Sequence, residues 1–339
     1  MSFKTDQESL RKWFLAAKRD LPWRQNPSPY SVLVSEVMLQ QTRADVVVDY
    51  FKRWMKQFPT VKELAEAPLE SVLKAWEGLG YYSRARNLHK AAKKLLEGFP
   101  NEYDGWIKVS GIGPYTANAI LSFAYHQPVI AMDANVQRVL SRYFETFDLK
   151  WAELEAKKDL SIQNPQEIAE GLIELGATIC AKKPFCEVCP LQQGCRSFLN
   201  KTTELYPAKK ILKKPKLTYK KVILYQYEDR FGIFKAKPGE LFADLYRFYE
   251  LDVDKDTYHK IVGEYPAHPF KEVRASATTF HFFLFPCVEK TAVLISGLEF
   301  LSLSECLKLP FTSGHKKILH QLVEYSEKKA HKNRFVGSL

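Results

Sequence analysis

An all-α domain over residues 1–200 followed by an α+β domain over residues 219–339 is the architecture the sequence predicts, and three observations predict it. Apolar residues recur at helical spacing through the first 200 positions, with Pro and Gly at most of the joints. Between Leu205 and Tyr227 the character changes abruptly, because seven lysines and no acid occupy that stretch. Beyond it VILYQY, FGIFKAK and TTFHFFLFPCV are β-type runs, and Ser313 to Lys328 returns to helix with Ile318, Leu319, Leu322 and Val323 on one face.

In chain order, Thr5-x-x-Glu8 has the form of a capping box, and Leu10, Trp13, Phe14 and Ala17 follow as an apolar stripe. Leu21 to Pro27 should stop that helix in an ordered loop. Further helices are expected from about Tyr30 to Phe58, Glu70 to Gly78, Ser83 to Leu96, Tyr115 to Tyr125 and Asn135 to Phe144. Residues 201–218 should form a basic interdomain linker. No repeat period is visible.

At 339 residues with 46% hydrophobic side chains, the chain suits two domains, each with a full core. No apolar run follows the opening MSFKTDQESLRKW, so no signal peptide is expected. The longest apolar stretch, around Phe280 to Val288, falls short of the roughly 18 residues of a membrane helix. We therefore expect a soluble, cytoplasmic, nucleoid-associated monomer that makes no use of a membrane. A formal charge of +11 calls for a polyanionic partner, and nucleic acid fits best. The linker lysines are either a solvated tether or part of that contact.

Cys180, Cys186, Cys189 and Cys195 crowd into sixteen residues, while Cys287 and Cys306 lie far away. Four thiolates this close converge on one metal centre more readily than on two disulfides. Zinc and an iron–sulfur cluster both satisfy the spacing. The position, after a long helical region with a Gly-x-Gly turn and a later aspartate, favours the cluster.

Trp106 to Ile120 has the pattern of helix, glycine hairpin and helix, with Gly111 and Gly113 in the turn. Such a hairpin presents free N–H groups at a helix N-terminus, a ready phosphate site, although glycines also serve a plain connection. Asp133 stands as the N-cap of the helix that follows, where backbone donors and the helix dipole favour its ionised form. Asn135 is close enough in sequence to help position it. Glu36 sits among Val32, Leu33 and Leu39, where apolar surroundings would raise its pKa and keep a proton to donate. The ordinary alternative is a half-exposed helical glutamate. Leu79 to Leu88 interleaves tyrosines with arginines, suited either to wedging into a duplex or to packing in a loop.

Pro22-Trp23-Arg24, Ser35 to Thr42, Gly78 to Leu88, the glycine hairpin, Asp133 and the cysteine set together resemble the adenine DNA glycosylases. These belong to the helix-hairpin-helix (HhH-GPD) superfamily, which also contains endonuclease III. The resemblance spans nearly all of residues 20 to 196. It implies a six-helix barrel plus an iron–sulfur module at 180–196, with a flipped base entering the cleft between them, and a 4Fe-4S cluster on the four cysteines.

By the same resemblance Glu36 protonates adenine N7 and Asp133 stabilises an oxocarbenium-like sugar, with Tyr115 and Asn135 nearby. Gln41 and Tyr81 enter the duplex, Arg24 and Glu174 help hold the adenine, and double-stranded DNA with A:8-oxoguanine or A:G mispairs is the substrate. Endonuclease III has a lysine after the hairpin proline, which forms a Schiff base. Here the residue is Tyr115, so a monofunctional glycosylase is expected. The alternatives are an endonuclease III-type pyrimidine glycosylase/lyase and a non-enzymatic DNA-binding protein with a structural metal site.

Two departures from the family stand out in the first domain, five residues rather than six between Cys180 and Cys186, and Ala134 in place of the usual Gly. The second domain resembles the family's Nudix-like module for 8-oxoguanine, with Tyr246 where Trp is usual and no glutamate-rich Nudix helix. The family's Phe-Ser-His loop aligns near Ala277-Thr278-Thr279, or else at Thr279-Phe280-His281. In the first alignment Thr278 keeps a hydroxyl while the aromatic and imidazole are gone, so weaker discrimination of 8-oxoguanine is expected.

Overall fold

A computed structural model describes residues 3–158, 160, 163–208, 214–264, 269–277 and 279–336. The helices in the first two thirds of the chain are α1 (Phe3–Ala17), α2 (Pro29–Leu39), α3 (Ala44–Gln57), α4 (Val61–Glu66), α5 (Leu69–Ala75) and α6 (Ser83–Leu95). They continue with α7 (Tyr103–Ile107), α8 (Pro114–Phe123), α9 (Ala134–Phe144), α10 (Leu149–Lys158), α11 (Pro165–Thr178) and α12 (Arg196–Leu199). Short 3-10 turns occupy Pro22–Arg24 and Cys186–Val188. The chain packs as two compact units, Met1–Glu66 with Asn87–Ile211, and Ala67–Arg86 with Leu212–Leu339.

In the first unit, α2 starts at a reciprocal cap between Ser28 and Ser31, with Pro29 pre-set for the first helical position. The helix is apolar on every side, so it must be buried, and Val32 to Met38 are all buried. It carries one charge, Glu36, into that interior. α2 packs on α3 and α8, while α1 and α9 pack on α11. Leu10, Val136, Leu140, Leu172, Leu175 and Leu191 form a core on which Cys180, Cys189 and Cys195 rest. Burying a leucine or valine side chain contributes about 1.5–3 kcal/mol, so this core anchors the cysteine segment.

The second unit adds β1 (Lys216–Tyr227), β2 (Arg230–Lys235), β3 (Tyr246–Arg247), β4 (Tyr249–Val253), α13 (Lys255–Glu264), β5 (Val273–Ala277), β6 (Phe280–Lys290), β7 (Glu299–Ser302), α14 (Leu303–Cys306) and α15 (Ser313–Val336). The sheet is mixed and seven-stranded, with β1 parallel to β6 along its length and antiparallel to β2 and β4. Alternation along β6 places Phe282 and Leu284 with Ile318, Leu319 and Leu322 of α15, while Phe285 and Cys287 meet Tyr258 of α13. The sheet is therefore covered by a helix on each face.

Several expectations change in detail. The helix expected from Tyr30 to Phe58 is broken, because Gln40 leaves the helical region (ψ 110°) and Gln41 is left-handed (φ 57°), so α2 and α3 are separate. Thr5 is not a cap, since α1 begins at Phe3 and Thr5 lies in its first turn. The basic stretch is not all tether. Lys216, Lys220 and Lys221 lie in β1, where Lys220 pairs with Glu250 and Asp252 and Lys221 with Glu289. Lys209, Lys210 and Lys213 lie outside the described residues.

Candidate active site

Glu36, on the third turn of α2, and Tyr115, at the start of α8, meet where the two helices pack. The Tyr115 hydroxyl donates to Glu36 Oε2 at 2.6 Å. Burial pushes the Glu36 carboxyl up to about 7, opposed by the Tyr115 hydrogen bond and reinforced by the nearby Asp133 charge. Burial also raises Tyr115 well above the ordinary phenol range, with Glu36 adding to it. Each group thereby favours its protonated form.

Asp133 caps α9, accepting from the Val136 N–H at 2.7 Å and from Asn135 Nδ2 at 2.8 Å. These donors favour its ionised form, as expected of a helix cap, while burial acts more strongly and raises its pKa. The donors still oppose that rise by stabilising the carboxylate, whereas Glu36 has one hydrogen bond, from the Tyr115 hydroxyl, with the Arg24 charge as a smaller aid. Asn135 is itself held by Arg138 Nη2 at 2.9 Å, and Arg138 reaches on to the Gly176 and Cys180 carbonyls, each at 2.7 Å. A chain of hydrogen bonds thus runs from Asp133 to the backbone of the first cysteine.

A cavity of about 680 Å³ in the first unit gathers Glu36, Asp133, Tyr115, Asn135, Arg24 and Gln41. Its size suits a nucleoside. The Pro22–Arg24 turn explains the place of Arg24, because Trp23 inserts edge-on against Phe51 and leaves the guanidinium facing the cavity. There Arg24 bonds Glu170 at 2.8 Å and Glu174 at 2.8 Å. Glu174 is fully buried and also bound by Arg19, and although burial opposes it, the two guanidiniums hold its carboxyl below the usual range. It therefore stands behind Arg24 instead of lining the cavity.

The remaining predicted residues lie elsewhere. Gly111 is left-handed (φ 80°), and a Cβ there would come within 2.5 Å of Asn87 Cβ. Gly113 is the N-cap of α8, extended and with open space around it, so its backbone could also suit other residues. Tyr81 belongs to the second unit, exposed and left-handed (φ 48°), with Arg84 over its ring at 5.5 Å. Thr278 lies outside the described residues.

Cys180, Cys186, Cys189 and Cys195 line one small cavity. Among the described residues no three His, Cys, Asp or Glu donors converge closely enough to share a single ion. Arg142 closes the site, donating to Cys180 Sγ at 3.4 Å and to the carbonyls of Ala181, Lys182, Thr203 and Tyr206. Burial pushes the Cys189 thiol up to about 12 and the Cys195 thiol to about 11. Thiols so placed become ligands only when a metal displaces their protons.

Comparison with known proteins gives the geometry its context. Residues 34–159 match the model of the HhH-GPD superfamily base excision DNA repair proteins. An adenine DNA glycosylase of Buchnera aphidicola is 38% identical over 248 residues, covering 67% of this chain and 71% of the relative. The chain belongs to the adenine DNA glycosylase family. A second adenine DNA glycosylase, from Arabidopsis thaliana, is 34% identical over 323 residues, covering 77% of this chain and 50% of the relative. Among solved structures, a non-covalent endonuclease III–DNA complex superposes with a TM-score of 0.52 at 26% identity, covering 59% of this chain and 96% of that one. A thermostable thymine-DNA glycosylase shares the fold, with a TM-score of 0.55 at 24% identity.

In this glycosylase, sequence reasoning missed Arg19 and Glu170, which line the cavity and complete the ion-pair network around Arg24 and Glu174. A signal for Glu170 was present, since Glu170 and Glu174 are one turn apart on the otherwise apolar stretch Ile168 to Leu175. Gly176 was missed too. A Cβ on it would lie 2.6 Å from Asn135 Cβ and 2.9 Å from the Asn135 carbonyl, so its bareness lets α11 approach the start of α9. No helix among the described residues is long and apolar enough to cross a membrane.

Proposed function

We propose that this glycosylase hydrolyses the N-glycosidic bond of adenine mispaired with 8-oxoguanine or guanine in double-stranded DNA, and that it leaves the strand uncut. The observation that carries this reading is a buried Glu36 carboxyl, bound by the Tyr115 hydroxyl, on the same cavity as a capped Asp133. Glu36 donates its proton to adenine N7 as the C1′–N9 bond breaks, and the bonding electrons leave with the now neutral base. Asp133, as carboxylate, stabilises the cationic sugar. Water then adds to C1′, and its proton returns to Glu36. Arg24, backed by Glu174, holds the adenine.

Tyr115 supports the monofunctional route, because a phenol has no amine for a Schiff base and its hydroxyl is engaged by Glu36. Gln41 and Tyr81 suit entry into the duplex, as both are exposed and both hold left-handed backbone, a strain that collects at functional sites. The hairpin at Gly111 and Gly113 offers the α8 N-terminus to a phosphate. The four cysteines would hold a 4Fe-4S cluster, which when bound ties residues 180–195 into one rigid module. The helix-covered sheet of the second unit suits a Nudix-like module that reads the opposite base. Thr278, outside the described residues, joins that role only by resemblance.

Duplexes bearing a single A:8-oxoguanine, A:G, A:C or thymine-glycol lesion test the proposal, scored for base loss with and without alkali. Adenine loss from the first two, with strand breaks appearing only after alkali, is the expected result. Breaks without alkali together with a high-yield borohydride-trapped adduct would instead establish a lyase.

A further inference from the structure

The turn that carries Tyr81 is bonded directly by its flanking helices and braced at its root by the C-terminal part of the chain. Within the second unit Glu77, its side chain 5% exposed, accepts from Lys74 Nζ at 3.0 Å, from the Phe311 N–H at 3.3 Å and from Lys316 Nζ. Lys74 also donates to the carbonyls of Leu307 at 2.8 Å and Leu309 at 3.0 Å, and the Tyr82 hydroxyl donates to the Phe311 carbonyl at 3.3 Å. The segment from Leu307 to Lys316 thus grips both sides of the Gly78 to Tyr81 turn. On the inner side, Trp76 Nε1 and Arg84 Nη2 both donate to the Gly80 carbonyl, at 3.0 and 3.2 Å. The Arg84 guanidinium, 5.2 Å from the Trp76 ring and 5.5 Å from the Tyr81 ring, links the fixed scaffold to the exposed tyrosine.

We infer that Glu77 and Lys316 are positioning residues for Tyr81, so that the C-terminal region acts on the mispair by presenting this tyrosine. The inference rests on the proposed entry of Tyr81 into DNA and adds who holds it there. A left-handed tyrosine left unsupported relaxes into other backbone wells, and every insertion must then order it again. A charge pair at the root of the turn avoids that. Loss of Lys316 leaves the buried Glu77 with Lys74 and the Phe311 N–H as its remaining donors, which weakens the brace at the root of the turn without touching DNA.

The test is a double-mutant cycle in the full chain, measuring dissociation constants for an A:8-oxoguanine duplex carrying non-hydrolysable 2′-fluoro-deoxyadenosine and for a matched duplex. Tyr81→Ala should weaken mispair binding by about tenfold, the usual scale for losing one aromatic stack on a base. Lys316→Met should weaken it by roughly threefold, with Lys316→Arg restoring it, matched-duplex binding unmoved and the melting temperature checked alongside. In the Tyr81→Ala background Lys316→Met should then cost nothing more. Glu77→Gln serves as the second entry to the cycle, because it keeps an acceptor for the Phe311 N–H. Losses that multiply, or Lys316→Met and Glu77→Gln variants that both bind like the parent, overturn the inference while the DNA role of Tyr81 stands. A Tyr81→Ala protein that binds like the parent fails earlier and removes that role itself.

Discussion

Glu36 is 4% exposed on a helix whose neighbouring side chains are almost all apolar, and the fold charges a price for its ionisation. Its pKa rises from 4.5 to about 7, so the folded state binds a proton more tightly than the unfolded chain. Below the lower value both states are protonated and no penalty exists. Between the two values the penalty grows, and above the upper one it is complete at about 3 kcal/mol, from 1.36 kcal/mol per unit. Glu36→Gln should therefore raise the melting temperature more at pH 8 than at pH 5 while abolishing excision. Equal shifts at both pH values would show that Glu36 is not the buried acid described. In the parent, single-turnover excision should decline as pH rises through about 7, because the proton for the leaving base is lost. Much of this was legible at the residue scale, since a single glutamate in an apolar run is conspicuous. Arg19 was not, as its partner Glu174 lies 155 residues away in the chain.

Two glycines separate cleanly at the scale of elements. Gly176→Ala places a methyl against Asn135, the residue that holds Asp133, so it should lower the excision rate by about tenfold or more while the helical content stays. Gly113→Ala has open space and an ordinary extended backbone, so its stability should stay within about 0.5 kcal/mol of the parent. Chemical denaturation paired with single-turnover kinetics checks both, and a slow Gly113→Ala or a fully active Gly176→Ala would contradict the assignment. The break between α2 and α3 is a contrasting case. No Gly or Pro marks Gln40-Gln41, so the helical pattern ran straight through a turn that tertiary packing imposes.

Considered as a whole molecule, the chain carries +11 and a cysteine site whose thiols resist ionisation by themselves. With the proposed 4Fe-4S cluster on these cysteines the purified protein should be brown, and Cys186→Ser should remove the colour and lower the melting temperature by roughly 5–10 °C, since a structural metal contributes folding energy. A colourless parent with stoichiometric zinc would replace the cluster with a single-ion site. The assignment of residues 67–86 to the second unit also appears only at this scale. Lys74 and Glu77 look in sequence like an exposed i,i+3 pair, yet Glu77 is buried by Phe311 and Lys316.

By itself the sequence determined the chemistry available to this protein: four clustered thiols, one carboxyl in an apolar helix, one at a helix cap, a phenol in place of an amine. These are local properties, set by residue type and short-range spacing, and they survive reading along a line. Tertiary structure alone decided which of them share a cavity, that burial raises Asp133 despite its cap, that Glu174 serves Arg24 from behind, and that Glu77 below the Tyr81 turn is bonded by Phe311 and Lys316. Desolvation and long-range ion pairs depend on distances through space, and spacing along the chain does not encode them.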